Sequence, residues 1–409
     1  MADNRTAEGR SKNRRVEIEV VGTRSSEPKA PTIPKGLVPV LFGTTRAKTQ
    51  TNDPYTYFGS VEADGPAEGR LTLGRVLVRV PPVRQRGDIK EPSYVSFAIE
   101  KMTRSSVASF IGLSPIAAAD PLTDFAFAGP VEEFTPAAFG KSLGQAIDRS
   151  KSKSALVYVH GFANSFKDAA FRAAQFTYDL ADEKFDVVPV MFSWPSDAQG
   201  FNYVAAGDAV WSAGKHLAVF LNQLADSAGV GVIHVVAHSK GAQVLTVALD
   251  ELRVPNLLAM NGSGPSLVPK FNQIILAAPD IRASDFGTVI LPAVASHHRV
   301  TNYVSSNDAA LRMSKRANAG ARAGDAGNGL SLVDGVETID VTEVNYRAGG
   351  HSSFAESPRV IADIRMQLSG SSPEARGLQR IQRRSLGYWL LRDCANLPGS
   401  SCATAVAVP

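Results

Sequence analysis

The sequence predicts an α/β protein in which a mostly parallel central sheet is covered by helices on both faces. From Lys153 onward, compact β-branched runs alternate with long stretches of helical periodicity, the order expected of strand-crossover-strand units. Most of the strand runs are largely apolar rather than alternating, as expected of strands buried on both faces. Of the 409 residues, 44% are hydrophobic and 20% charged, which is enough apolar side chain for a large core.

The first 36 residues are polar and charged, carry Pro28, Pro31 and Pro34, and read as a flexible basic arm. Leu37–Phe42 and Leu71–Val80 are short β-rich runs, the second alternating and stopped by Pro81-Pro82, so both are expected as antiparallel strands. Residues 84–150 show no sustained period. The regular part then offers six strands: Ala155–Val159, Val187–Phe192, Val232–Ala237, Gln273–Ala277, Arg299–Val304 and Val336–Val341. A helix over Phe166–Ala181 opens with Ser165 and Asp168 at capping-box spacing. A second, Ala205–Ala225, sets Trp211, Leu217, Phe220, Leu221 and Leu224 on one stripe. Two more helices follow Ser239 and Ser284. The Gly-, Ala- and Asn-rich run Ala317–Gly329 reads as a mobile loop. The resulting division is an arm (1–36), an α/β domain (37–372) and a C-terminal extension (373–409).

Several function classes are excluded on composition. Lys and Arg number 43 against 39 acids, a net charge of +4, but the excess lies in the flanks, including Arg376, Arg380, Arg383, Arg384 and Arg392. The main domain is near neutral and offers no nucleic-acid face. No stretch reaches the roughly 18–20 apolar residues of a membrane-spanning helix, and Met1–Val20 has no apolar core of a signal peptide, which predicts a cytoplasmic protein. For Tyr388–Leu391, packing on the domain is the plain reading and a peripheral membrane contact the other. The two cysteines, Cys394 and Cys402, cannot organise the fold. No His, Asp and Glu cluster has zinc-like spacing, and Gly262-Ser263-Gly264 follows no expected strand, so neither metal nor cofactor is expected.

The sharpest chemical signal is Val235–Gly241, Val-Val-Ala-His-Ser-Lys-Gly, between a buried strand and a helix. It is close to the G-x-S-x-G nucleophile elbow, with Ala237 in place of the first glycine. There a strained strand-to-helix turn exposes the serine above the sheet, and small flanking residues avoid clashes. Strand Ala155–Val159 ends in His160-Gly161-Phe162, a turn suited to presenting backbone N–H groups to a developing oxyanion. The expected donors are the N–H groups of Phe162 and Lys240. Serine needs a base and an orienting acid. Asp308 and His351 each follow the C-terminal end of an expected strand, the edge where open α/β sheets assemble sites, and the order Ser239, Asp308, His351 is that of the triad. Asp280, in Ala277-Ala-Pro-Asp280, is the alternative acid, or else a helix cap. His160 is expected to hold its loop and His238 to support the elbow. His216 and His234 read as packed or solvated, and His297 and His298 as surface residues at the opposite sheet edge.

Tyr158–Phe162, Phe166–Gln175, Phe192–Ser196, Ala237–Gly241, Leu276–Asp280, Tyr303–Asp308 and Gly350-His351 together resemble a bacterial α/β-hydrolase family of unknown function, described as esterase/lipase-like. Val40–Arg46 and Leu73–Val78 resemble its N-terminal strands, so the resemblance covers residues 37–368. It implies a serine hydrolase fold with Ser239 as nucleophile and His351 as base. Lys240 departs from the family, which more often has an apolar residue there. The expected activity is cleavage of a small-molecule or lipid-like carboxylic ester through an acyl-enzyme. Acyl transfer by the same triad is the enzymatic alternative, and a non-catalytic binding protein of the same fold is the alternative of another class.

Overall fold

The computed structural model describes residues 5, 36–65, 67–91, 119–196, 206–227, 231–259, 271–295, 299–318, 320–327, 329–344, 350–383 and 386–393. The chain divides after Lys35, and Gly36–Pro409 is the unit that holds every element below. Its first part contains β1 (Leu37–Thr44), β2 (Arg46–Lys48), β3 (Phe58–Glu62), α1 (Ala67–Arg70), β4 (Thr72–Arg79), β5 (Ala126–Phe127), β6 (Glu132–Phe134) and α2 (Pro136–Arg149). The regular part runs β7 (Ser154–Val159), α3 (Phe166–Leu180), β8 (Val188–Ser193), α4 (Ala206–Asp226), β9 (Val232–His238), α5 (Gly241–Ala259), β10 (Phe271–Ala277), α6 (Ala283–Ala295) and β11 (Arg299–Val304). It continues through α7 (Ala309–Ala317), β12 (Val336–Asp340), α8 (Ser353–Glu356), α9 (Pro358–Leu368), β13 (Gln379–Arg383) and β14 (Leu386–Leu390).

Among the described residues the main sheet has the order β13-β14-β12-β11-β10-β9-β7-β8-β1-β4-β5, with β6 also on β4. The run from β14 to β1 is parallel throughout. Strands β4, β5 and β6 add antiparallel pairs at one edge and β13 at the other. Strand β1 is therefore both antiparallel to β4, as the sequence predicts, and parallel to β8, which no local pattern reveals.

The register sets Val157 between Val190 and Val235, and these side chains join the core under α2, α4, α5 and α6. Leu156, Tyr158, Met191 and Val236 point the other way and pack with α3, α8 and α9. Two covered faces explain why the strand sequences do not alternate. Helix α3 starts as the spacing predicts: Ser165 Oγ accepts from Asp168 N and the Asp168 carboxylate accepts from Ser165 N.

Three expectations are corrected. Leu217, Phe220, Leu221 and Leu224 are buried, but Trp211 is 57% exposed, with Lys215 Nζ 3.7 Å from its ring centre. Arg376 is no free flank charge: it is buried, with Nη1 3.2 Å from Asp363 Oδ2 and Nη2 paired to Glu337. The run Ala317–Gly329 buries Arg322 and Ala323. Tyr388–Leu390 lie in β14, and Trp389 packs on the core. Gly262–Gly264, His297, His298, Cys394 and Cys402 lie outside the described residues. No helix among the described residues is long and apolar enough to cross a membrane.

Candidate active site

The chain passes from β7 to β8 on one side and then to β9 on the other side of β7. Such a reversal opens a crevice at the C-terminal ends of the two central strands. The loop after β7 carries Gly161 and the turn after β9 carries Ser239. Ser239 has φ +54°, a conformation uncommon for a non-glycine residue and maintained only where surroundings enforce it. Its N–H donates to Ala277 O at 2.9 Å, and its carbonyl accepts from Ala242 N and Asp280 N, both at 3.1 Å. The small neighbours are required sterically. A Cβ on Gly161 would lie 2.9 Å from Ser239 Cβ, and one on Gly241 only 2.4 Å from His160 O. Ala237 is fully buried and its methyl is accommodated.

The loop after β7 is pinned from behind. Trp194 N donates to His160 Nε2 at 3.1 Å, so the other nitrogen, Nδ1, carries the proton and donates to Gly161 O at 2.8 Å. Trp194 Nε1 returns a bond to His160 O at 2.8 Å. Burial, followed by the Arg46 charge, pushes the His160 imidazole down to about 3, so it is neutral. Arg46 is itself buried: it donates through Nε to Ser193 Oγ at 2.9 Å and through Nη2 to Asn164 O at 2.6 Å. Arg46 appears in the sequence within an N-terminal strand motif, and only the tertiary structure brings it behind this loop.

His351 and Asp308 are brought together, with Nδ1 to Oδ2 at 2.7 Å. Asp308 is buried and its other oxygen, Oδ1, accepts from Leu311 N at 2.9 Å as the N-cap of α7. An ionised carboxylate accepts from Nδ1–H, which leaves Nε2 as the basic ring nitrogen. His238 Nε2 donates to His351 O at 2.9 Å, and the two rings lie 4.6 Å apart. It therefore supports the histidine loop as well as the elbow. His238 is buried and neutral, pushed well below the ordinary value first by burial and then by His351.

Asp280 takes other partners. Its Oδ1 accepts from Ser314 Oγ at 2.6 Å and lies 2.9 Å from Arg322 Nε. Burial raises its carboxyl, while Ser314 and Arg322 oppose the rise. Lys240 does not project into solvent: it is 4% exposed, with Nζ 5.7 Å from the centre of the Phe162 ring. Burial, and then the Arg322 charge, lowers its ammonium to about 8. Phe162, Ser239, Asp280, Leu311, Ser314 and His351 line one cavity of about 310 Å3, with further walls from Ala310, Met313 and Ala317 of α7. Arg322 had no sequence signal, because an arginine in a Gly- and Ala-rich run reads as solvated. Among the described residues no group of three or more His, Cys, Asp and Glu is arranged to hold a metal ion.

No curated protein matches the chain. The model of one family matches residues 135–371, over half of the sequence, from α2 through α9. That stretch contains β7, β9 and the loops carrying Ser239, Asp308 and His351, and its description agrees with the parallel sheet and two helical layers found here. The chain belongs to this family, alpha/beta hydrolase of unknown function (DUF900).

Proposed function

We propose that this hydrolase cleaves carboxylic esters, with Ser239 as nucleophile, His351 as base and Asp308 as the orienting acid. The observation that carries the reading is one constellation. Ser239, held at φ +54°, shares a cavity with His351, whose Nδ1 lies 2.7 Å from buried Asp308 Oδ2.

In this reading Ser239 Oγ attacks the acyl carbonyl carbon while its proton passes to His351 Nε2. The carbonyl π electrons move onto oxygen, and the backbone N–H groups of Phe162 and Lys240 stabilise the resulting oxyanion. Collapse of the tetrahedral intermediate breaks the bond to the alcohol oxygen, which leaves with the proton from His351. Water then attacks the acyl-enzyme, gives its proton to His351, and the acid departs as Ser239 regains its hydrogen. Asp308 holds the imidazole with Nε2 unprotonated and stabilises the imidazolium between transfers. The neutral His238 adds no competing charge behind the ring.

A fluorophosphonate probe tests the assignment. The wild-type protein is expected to be labelled once, at Ser239, and Ser239→Ala to remain unlabelled, while His351→Gln labels at least a hundredfold more slowly. Equal labelling of wild type and Ser239→Ala would place any reactive nucleophile elsewhere.

A further inference from the structure

Asp280 is only 2% exposed, yet it is a wall of the cavity that contains Ser239. Its backbone N–H donates to Ser239 O at 3.1 Å, so it stands beside the nucleophile's own peptide unit. Its Oδ1 accepts from Ser314 Oγ at 2.6 Å and lies 2.9 Å from Arg322 Nε. Among the described residues Oδ2 accepts no hydrogen bond. The remaining walls are largely apolar, with Phe162, Ala310, Leu311, Met313 and Ala317. A carboxylate oxygen without a hydrogen bond on the wall of such a cavity favours a ligand that supplies a donor, because a methylene group against it would leave it desolvated and unbonded.

We infer that the substrate acyl chain carries a hydroxyl group, which donates to Asp280 Oδ2 close to the scissile carbonyl. The inference rests on the ester-hydrolase reading and deepens it from an acyl ester to a hydroxyacyl ester. A neutral donor fits better than an ammonium. Arg322 already balances the Asp280 charge, so an ammonium group there would be one positive charge in excess. Sites built to bond a substrate hydroxyl discriminate strongly against analogues that lack it, since their own buried polar group is then left unpaired.

The test compares p-nitrophenyl 3-hydroxybutyrate, butyrate and 3-aminobutyrate. Wild-type kcat/KM is expected to favour the hydroxy ester over the butyrate at least tenfold. In Asp280→Leu/Arg322→Met, which removes both charges and leaves neither buried alone, the ratio should fall to near one. A wild-type ratio near one, or a preference for the amino ester, would overturn the inference whether or not the double variant folds. The ester-hydrolase reading and the hydroxyl preference fail on different results. If no ester is cleaved faster than by Ser239→Ala, the hydrolase reading fails. The affinities of Ser239→Ala for the hydroxy and plain esters, measured by calorimetry, then still decide the hydroxyl preference: at least tenfold tighter for the hydroxy ester upholds it, and equal affinities overturn it.

Discussion

Asp308 does two jobs with two oxygens: Oδ2 faces His351 and Oδ1 caps α7. The two can be separated. Asp308→Asn retains a good capping residue but no longer enforces the right imidazole tautomer, so kcat should fall by about 10³- to 10⁴-fold with little change in melting temperature. Asp308→Ala should lose comparable activity and about 1 kcal/mol of stability as well. Rates and thermal melts on both variants check this, and equal melting temperatures would remove the capping role. Among the proposed site residues, those with a local signal are legible in the sequence. Ser239 announces itself through its strand, its turn and Gly241, and Asp308 and His351 through their positions after strands. Residues whose roles are purely tertiary leave no such trace. Arg46 reaches His160 across 114 positions of sequence, and Arg322 reaches Asp280 from a run that reads as loop.

The strands were legible because a strand buried on both faces has nowhere to place a polar side chain, and every residue of β7 and β8 is buried. Helix α2 has its own local signal within residues 84–150, although that stretch as a whole has no sustained period. Thr135 caps it, Pro136 occupies its first turn, and Phe139, Leu143 and Ile147 recur every four residues on its buried face. The most stringent demand between elements is the approach of α5 to β7. A methyl at position 241 would meet His160 O at 2.4 Å and Val159 O at 2.6 Å, both backbone atoms. Gly241→Ala should therefore push the helix start away from the loop after β7. The expected cost is about 1–3 kcal/mol, read as a lowered urea midpoint, together with a lower rate of the proposed ester hydrolysis. An unchanged midpoint would mean that the loop yields without resistance.

The sheet order is a property of the whole molecule that no window of sequence contains, since parallel neighbours such as β1 and β8 lie far apart in the chain. What the sequence does supply is the set of C-terminal strand ends from which the site is built. The whole molecule also carries a pH liability. His160, His234 and His238 are buried and neutral, lowered to about 3, to about 4 and well below 6.5 respectively, with burial the leading cause in each. In the unfolded chain they protonate near 6.5. Between these limits the unfolded state binds more protons, so stability rises with pH there and is lost as pH falls from 6.5 toward 4. His160 and His234 together give a slope of about 2–3 kcal/mol per pH unit near pH 5, and His238 adds to it in the same direction. Urea unfolding at pH 7.5 and 5.5 should show a clearly lower midpoint in acid, and coincident midpoints would contradict the neutral assignment of these rings.

On the proposed function, Ser239, His351 and Asp308 act together on an acyl carbonyl. Its most direct test is p-nitrophenol release from short and medium acyl esters, hydroxylated and plain, by the wild-type protein beside Ser239→Ala. Saturable hydrolysis is expected from the wild type, with a loss of at least about 10³-fold in the variant. Equal rates for the two proteins, at or above background, would contradict it.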